Sequence, residues 1–168
     1  MTKKKLNPRK IPMKGRSINI DAIIDEAMRH DMEHARLLVT AALLKEMSSG
    51  EVKELLDSLQ ESDVSDERIS HAEQLMGLSE RPSASLEGIS TGEDLKKFKG
   101  KMKKLALHTA LCSICLGLEE KGYTPELLQS IFAEVEQMKK KIDDGAITYK
   151  DLKMEMDFTN TAEDAYTR

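Results

Sequence analysis

The sequence predicts an all-α fold, a helical bundle of two to three long helices plus short helices behind a basic N-terminal arm. Three observations lead to this prediction. Three Phe, three Tyr and no Trp occur in 168 residues, which disfavours β-sandwiches and barrels. Charged residues make up 33% of the chain, above the usual level of about 25%. Apolar residues recur at three- and four-residue spacing over long stretches, as in amphipathic helices.

The chain opens with a segment that we expect to be a flexible basic arm. Pro8 and Pro12 oppose a helix, and no apolar period is present to bury. The segment has no acidic residue. Its seven basic residues are Lys3, Lys4, Lys5, Arg9, Lys10, Lys14 and Arg16.

Three helices are predicted next. The first runs from Asp21 to Met47 on a regular apolar spacing, and Gly50 is expected to end it. Two short helices follow, from Glu51 to Leu59 and from Asp66 to Met76. A stretch rich in Ser, Gly and Pro then predicts a long loop.

Further helices are predicted in the second half of the chain. A capping box formed by Ser90 and Glu93 predicts the start of a second long helix, which continues to Lys121. The sequence Thr124-Pro125-Glu126 is a typical helix start, and Gly145 ends that helix. Thr148 with Asp151 begins a last short helix. The chain therefore divides into an arm (1–16), an N-terminal helical part (17–76), a linker or long loop (77–92), a C-terminal helical part (93–157) and a tail (158–168).

The charge is distributed unevenly. The net charge is −4, but a second basic segment spans Lys96 to Lys104. Outside this segment and the arm, the chain holds 13 basic and 30 acidic residues. The basic residues of this segment and of the arm are candidates for binding either nucleic-acid phosphates or an acidic protein groove. The chain's own acidic helices and a solvated helix face stay open as alternatives. Its lysines are Lys96, Lys97, Lys99, Lys101, Lys103 and Lys104.

Two patterns could ligate zinc. His30, Glu33 and His34 match the H-x-x-E-H motif, in which two His one helical turn apart hold the metal and Glu serves as a base. The alternative for this motif is an exposed polar stripe on an amphipathic helix.

The second pattern lies in the second long helix. His108, Cys112 and Cys115 could share one face there, whereas free Cys residues are usually small buried hydrophobes. We assign none of these residues as a metal ligand and expect no cofactor.

Two segments resemble known proteins. Residues 5–12, Lys-Leu-Asn-Pro-Arg-Lys-Ile-Pro, are similar to the leader of small helical proteins encoded in prophages and mobile elements of Gram-positive bacteria. A second segment, from Leu128 to Lys153, is similar to the C-terminal helix, turn and final short helix of those proteins. The resemblance implies a phage setting and carries over no functional residue. Small acidic proteins in that setting often bind and redirect host machines.

These observations lead to a hypothesis of a non-catalytic interaction protein. It would bind a host protein or nucleoprotein complex and inhibit or modulate a nucleic-acid machine, such as a CRISPR nuclease. The acidic body would in part mimic nucleic acid. Two alternatives stay open: a regulator that binds DNA or RNA directly, and a small zinc-dependent enzyme using His30, Glu33 and His34. We expect a cytoplasmic protein without a membrane span, and a homodimer stays open.

Overall fold

The computed structural model describes residues 10–13, 16–59, 65–78, 81–83 and 89–154. Within these ranges the prediction of an all-α bundle is confirmed. The helices are α1 (Ile20–Leu43), α2 (Ser49–Ser58), α3 (Asp66–Met76), α4 (Gly92–Glu120), α5 (Pro125–Asp143) and α6 (149–154). Among the described helices, none is long and apolar enough to cross a membrane.

A short β-hairpin precedes the helices. Strand β1 (Lys10–Met13) pairs antiparallel with β2 (Arg16–Asn19), and Ile11 lies opposite Ile18. Part of the segment predicted as an arm therefore has regular secondary structure. The rest of that segment, residues 1–9 and 14–15, lies outside the described residues, as does the predicted tail.

The end of α1 differs from the prediction. The helix ends at Leu43, before Met47, and Gly50 does not terminate it. The reason is that Ser48 caps the next helix: its side chain accepts a hydrogen bond from the Glu51 backbone N–H at 3.3 Å. A serine in this position satisfies an unpaired donor of the first turn, so α2 begins at Ser49.

The start of α4 also differs from the predicted Ser90–Glu93 box. The capping box is formed by Thr91 and Asp94, one residue further along. The Asp94 backbone N–H donates to Thr91 Oγ1 at 3.1 Å, and the Thr91 backbone N–H donates to Asp94 Oδ2 at 3.2 Å. The backbone N–H of Ser90 is the first of several hydrogen bonds that lower the pKa of Asp94. Ser90 thus supports the cap without being the cap.

The core has two parts. The larger cluster joins α1, α2, α3, α5 and the second half of α4, with Leu38, Leu111, Leu118 and Phe132 among its buried side chains. A smaller cluster joins the start of α1 to the first half of α4. Helix α1 packs along α4 and α5, while α3 packs against α4 and α5. Helices α1 and α4 are therefore the elements that both clusters share.

Candidate functional site

The first half of α4 is amphipathic because its apolar residues keep one helical face. Leu95, Phe98, Met102 and Ala106 follow each other at three- or four-residue intervals, and all four are buried. They pack against Ala27 of α1 in the smaller cluster. This narrow stripe leaves the remaining faces of the helix to polar residues.

The lysine face is our name for the six lysines between positions 96 and 104 of α4. All six are exposed. They form two rows along the helix, one on each side of the stripe, with spacings of three or four residues. One row contains Lys96, Lys99 and Lys103, and the other contains Lys97, Lys101 and Lys104.

The lysine face has no ion-pair partner among the described residues, although the charge of Lys103 acts on the buried Asp31. None of the six lysines forms a hydrogen bond or an ion pair there, so they do not dock on the chain's own acidic helices within that part. Several basic residues elsewhere do pair with carboxylates: Arg36 with Asp57, Lys45 with Glu134, Arg68 with Glu120, and Arg81 with Glu73. The positive charge of α4 is therefore available to an external partner.

A cleft of about 630 Å³ lies beside the lysine face. Its α4 wall contains Lys99, Gly100, Lys103 and Lys104, and its α1 wall contains His30, Asp31 and His34. Asp143 of α5 and Tyr149 of α6 also line it. The fold thus places the H-x-x-E-H segment of α1 opposite half of the predicted basic segment.

Asp31 is the most unusual side chain of the cleft. It is only 4% exposed, and its Oδ2 atom is buried without a hydrogen-bond partner among the described residues. Burial raises the pKa of Asp31 to about 6, although the positive charges of Lys103 and His30 oppose this shift. A buried carboxylate in this state is a recurrent feature of functional sites.

His34 and Tyr149 close one side of the cleft. Their rings stack in parallel, with centroids 3.7 Å apart and planes 3° apart. Burial lowers the pKa of His34, which favours the neutral imidazole. Its Nδ1 atom is 3.6 Å from Asp31 Oδ1, too far for a hydrogen bond. Burial also raises the pKa of Tyr149 to about 12, so its phenol stays protonated.

The H-x-x-E-H residues do not converge on one point. His30 is exposed, and its Nε2 atom lies 3.9 Å from Glu26 Oε1. Glu33 is also exposed, 4.0 Å from the Lys153 ammonium. In the part of the chain that the structure describes, no group of three His, Cys, Asp or Glu side chains is placed to hold a metal ion.

His108, Cys112 and Cys115 lie in the core of the bundle. Both Cys are fully buried, and burial raises the pKa of each thiol to about 12. A thiol that stays protonated is a poor nucleophile. His108 is 4% exposed, and its Nε2 atom is 2.8 Å from Glu73 Oε2.

The Glu73 carboxylate links three elements and was not anticipated from the sequence. It accepts hydrogen bonds from Arg81, with the shortest distance 2.7 Å, as well as contacting His108. These hydrogen bonds, that of Arg81 foremost, lower the pKa of Glu73. The network satisfies a buried imidazole, joins α3 to α4 through Glu73 and His108, and holds Arg81 of the following segment against α3.

The structure describes only two of the seven basic residues of the predicted arm. Lys10 lies in β1 and Arg16 in β2. The remaining basic residues of that segment lie outside the described residues: Lys3, Lys4, Lys5, Arg9 and Lys14.

The burial of Asp31 and the position of Tyr149 in the cleft were likewise not predicted from the sequence. Asp31 lies inside the H-x-x-E-H segment, and one additional polar residue in a polar helical segment does not indicate that it is buried. Tyr149 reaches the cleft only through the turn between α5 and α6. No protein family, curated protein or solved structure matches the chain.

Proposed function

We propose that this protein is a non-catalytic interaction protein that binds a host nucleic-acid machine and inhibits or modulates it. The lysine face of α4 contacts the nucleic-acid phosphates of that complex. The observation that carries the proposal is the set of six exposed lysines without internal partners. The similarity of residues 5–12 and 128–153 to prophage-encoded proteins supports a phage setting.

The charge density of the lysine face suits a nucleic acid. Six lysines within nine helical residues span about 12 Å, at 1.5 Å per residue. A duplex carries about seven phosphate charges over the same length. The acidic residues on the rest of the body oppose non-specific binding elsewhere on the surface, because like charges repel. Binding is therefore expected to use one face.

Fluorescence anisotropy with a labelled random duplex tests the electrostatic part of the proposal. If the six lysines contact phosphates, the affinity falls by about a thousandfold between 50 and 200 mM salt. Replacing Lys96, Lys99 and Lys103 with Gln should lower both the affinity and the salt slope. The matched control replaces three exposed lysines outside the lysine face, Lys53, Lys121 and Lys150, with Gln.

Affinity capture from host extract identifies the target. Retention of a nucleic-acid-processing protein by the wild type, and its loss in the lysine-face variant alone, supports the proposal. Equal retention by both triple variants contradicts it. Tight binding of the naked duplex without any captured protein would instead favour the second candidate, a regulator that binds DNA or RNA directly, which the same lysine face supports.

A further inference from the structure

The cleft beside α4 has the size of a small-molecule site. Its volume of about 630 Å³ falls within the usual range for ligand pockets, about 300–1,000 Å³. Lys99, Lys103 and Lys104 bring three ammonium groups to one wall. None of them forms an ion pair among the described residues, although Lys103 interacts electrostatically with the Asp31 carboxylate across the cleft. Gly100 lies between them and contributes no side chain, which keeps this wall open. This wall is therefore suited to bind an anion.

On the opposite wall, the carboxylate of Asp31 has an oxygen atom without a hydrogen-bond donor. Asp31 Oδ2 is buried without a partner in the described part of the chain, and an unpaired buried acceptor destabilises the folded state. Native proteins rarely retain such an atom without a reason. A carboxylate turns easily about χ2, so either oxygen can face the cleft. An N–H group of a ligand would therefore complete this wall.

The space between the two walls is partly apolar. Ile23, Ala27 and Leu107 line it, and the stacked rings of His34 and Tyr149 close one side. A ligand that fits carries a phosphate at one end, a planar ring in the middle and N–H donors on the edge of that ring. A nucleotide combines these three features in one molecule.

We infer that the cleft binds a single nucleotide, with its phosphate at Lys99, Lys103 and Lys104 and its base edge at Asp31. Guanine is the preferred base because N1–H and N2–H are adjacent donors that match a carboxylate. The nucleotide is either free in solution or one unit of a single strand, and both offer the same chemistry. This inference does not depend on duplex binding by the lysine face.

Titration of the isotope-labelled full-length chain, followed by NMR, tests the inference. Guanosine monophosphate should shift the resonances of cleft residues and bind about tenfold tighter than inorganic phosphate or ribose 5-phosphate. Asp31→Asn should remove most of the preference over ribose 5-phosphate. A short single-stranded oligonucleotide that competes with the nucleotide identifies a strand as the source. An oligonucleotide that does not compete identifies the free nucleotide.

Gly100→Leu is the decisive variant because it fills the cleft without disturbing the fold. A Cβ atom at position 100 meets no heavy atom within 4 Å, and Leu favours a helix more than Gly does. We expect about tenfold weaker nucleotide binding with duplex binding retained. The control, Lys97→Gln, removes a lysine that does not line the cleft and should change nucleotide affinity less than about twofold.

Three results would overturn the inference. The first is the absence of saturable shifts with guanosine monophosphate. The second is equal affinity for the nucleotide and for inorganic phosphate. The third is unchanged nucleotide binding by a folded Gly100→Leu variant. Each result leaves the duplex measurements untouched, so failure of the cleft proposal is distinguishable from failure of the lysine-face proposal.

Discussion

The first half of α4, residues 92–106, carries six exposed lysines and a narrow apolar stripe, whereas the second half, residues 107–120, is buried on nearly every side. The two halves share one unbroken helical backbone. The second half is surrounded by α1, α3 and α5, while the first half contacts mainly the start of α1. One helix thus provides both the centre of the core and the main exposed charge. Substitutions in the two halves should therefore affect different properties.

The largest effect should come from the buried half. Leu118 is fully buried, so Leu118→Ala removes apolar contacts and leaves a cavity. We expect a loss of about 2–5 kcal/mol in the free energy of unfolding, measured by urea denaturation. Lys101→Ala in the exposed half is the matched control and should change stability by less than about 0.5 kcal/mol. Similar losses for both variants would contradict the division of α4 into two environments.

Asp31 gives the second effect, and its sign depends on pH. Its pKa is raised from 3.8 to about 6 in the folded protein. At about pH 3 and below, the carboxyl is largely protonated in both states and has little effect on stability. Between pH 4 and 6 the unfolded chain releases the proton more readily, so stability falls as the pH rises. Above pH 7 the full difference in pKa between the two states lowers the free energy of unfolding by about 3 kcal/mol.

Asp31→Asn removes this penalty. We expect the variant to be more stable than the wild type by up to about 3 kcal/mol at about pH 8 and nearly equally stable at about pH 3. Urea denaturation at the two pH values measures the difference. Asp25→Asn, an exposed change on the same helix, serves as the control. A gain that does not depend on pH would show that burial of the charge is not the cause.

The third and smallest effect compares the same substitution in the two halves of α4. Gly100→Ala adds a methyl group in open space and should raise stability by about 1 kcal/mol through helix propensity. Gly117→Ala has the same intrinsic gain, but its Cβ would lie 3.1 Å from Leu59 Cδ2 and 3.3 Å from Leu59 Cβ.

We therefore expect Gly117→Ala to be the less stable of the two variants, because Leu59 must move to admit the methyl group. Thermal denaturation of both proteins under one buffer condition measures the difference. A gain at position 117 equal to that at position 100 would mean that the core adjusts without cost. Since both variants carry the same chemical change, the comparison isolates the surroundings of the helix.

Helix boundaries were predicted well where a single residue type controls them. Thr124 caps α5 with Pro125 behind it, and Gly145 adopts a φ of 78° after that helix, as its place after the apolar period predicted. Two errors occurred where a neighbouring residue caps a helix instead. Ser48 caps α2, so Gly50 lies inside that helix and does not end α1, and Thr91 rather than Ser90 caps α4.

The candidate site was predicted only in part, and for a similar reason. The lysines of α4 form a dense run of positive charge, which is visible in the sequence alone. The cleft, in contrast, needs α1, α4 and α6 to meet, and no local pattern reports that Asp31 is buried or that Tyr149 stacks on His34. The Glu73–His108 contact is of the same kind, because it joins α3 to α4.

By itself, the sequence determined the fold class, most helix ends and the charge of the lysine face. These features depend on contacts between residues three or four apart, which the order of residues displays directly. The tertiary structure decided which side chains are buried together, above all the enclosure of Asp31 and of the second half of α4. Burial arises from the packing of helices that are distant in the chain, and that packing also set the pKa of Asp31 and formed the cleft.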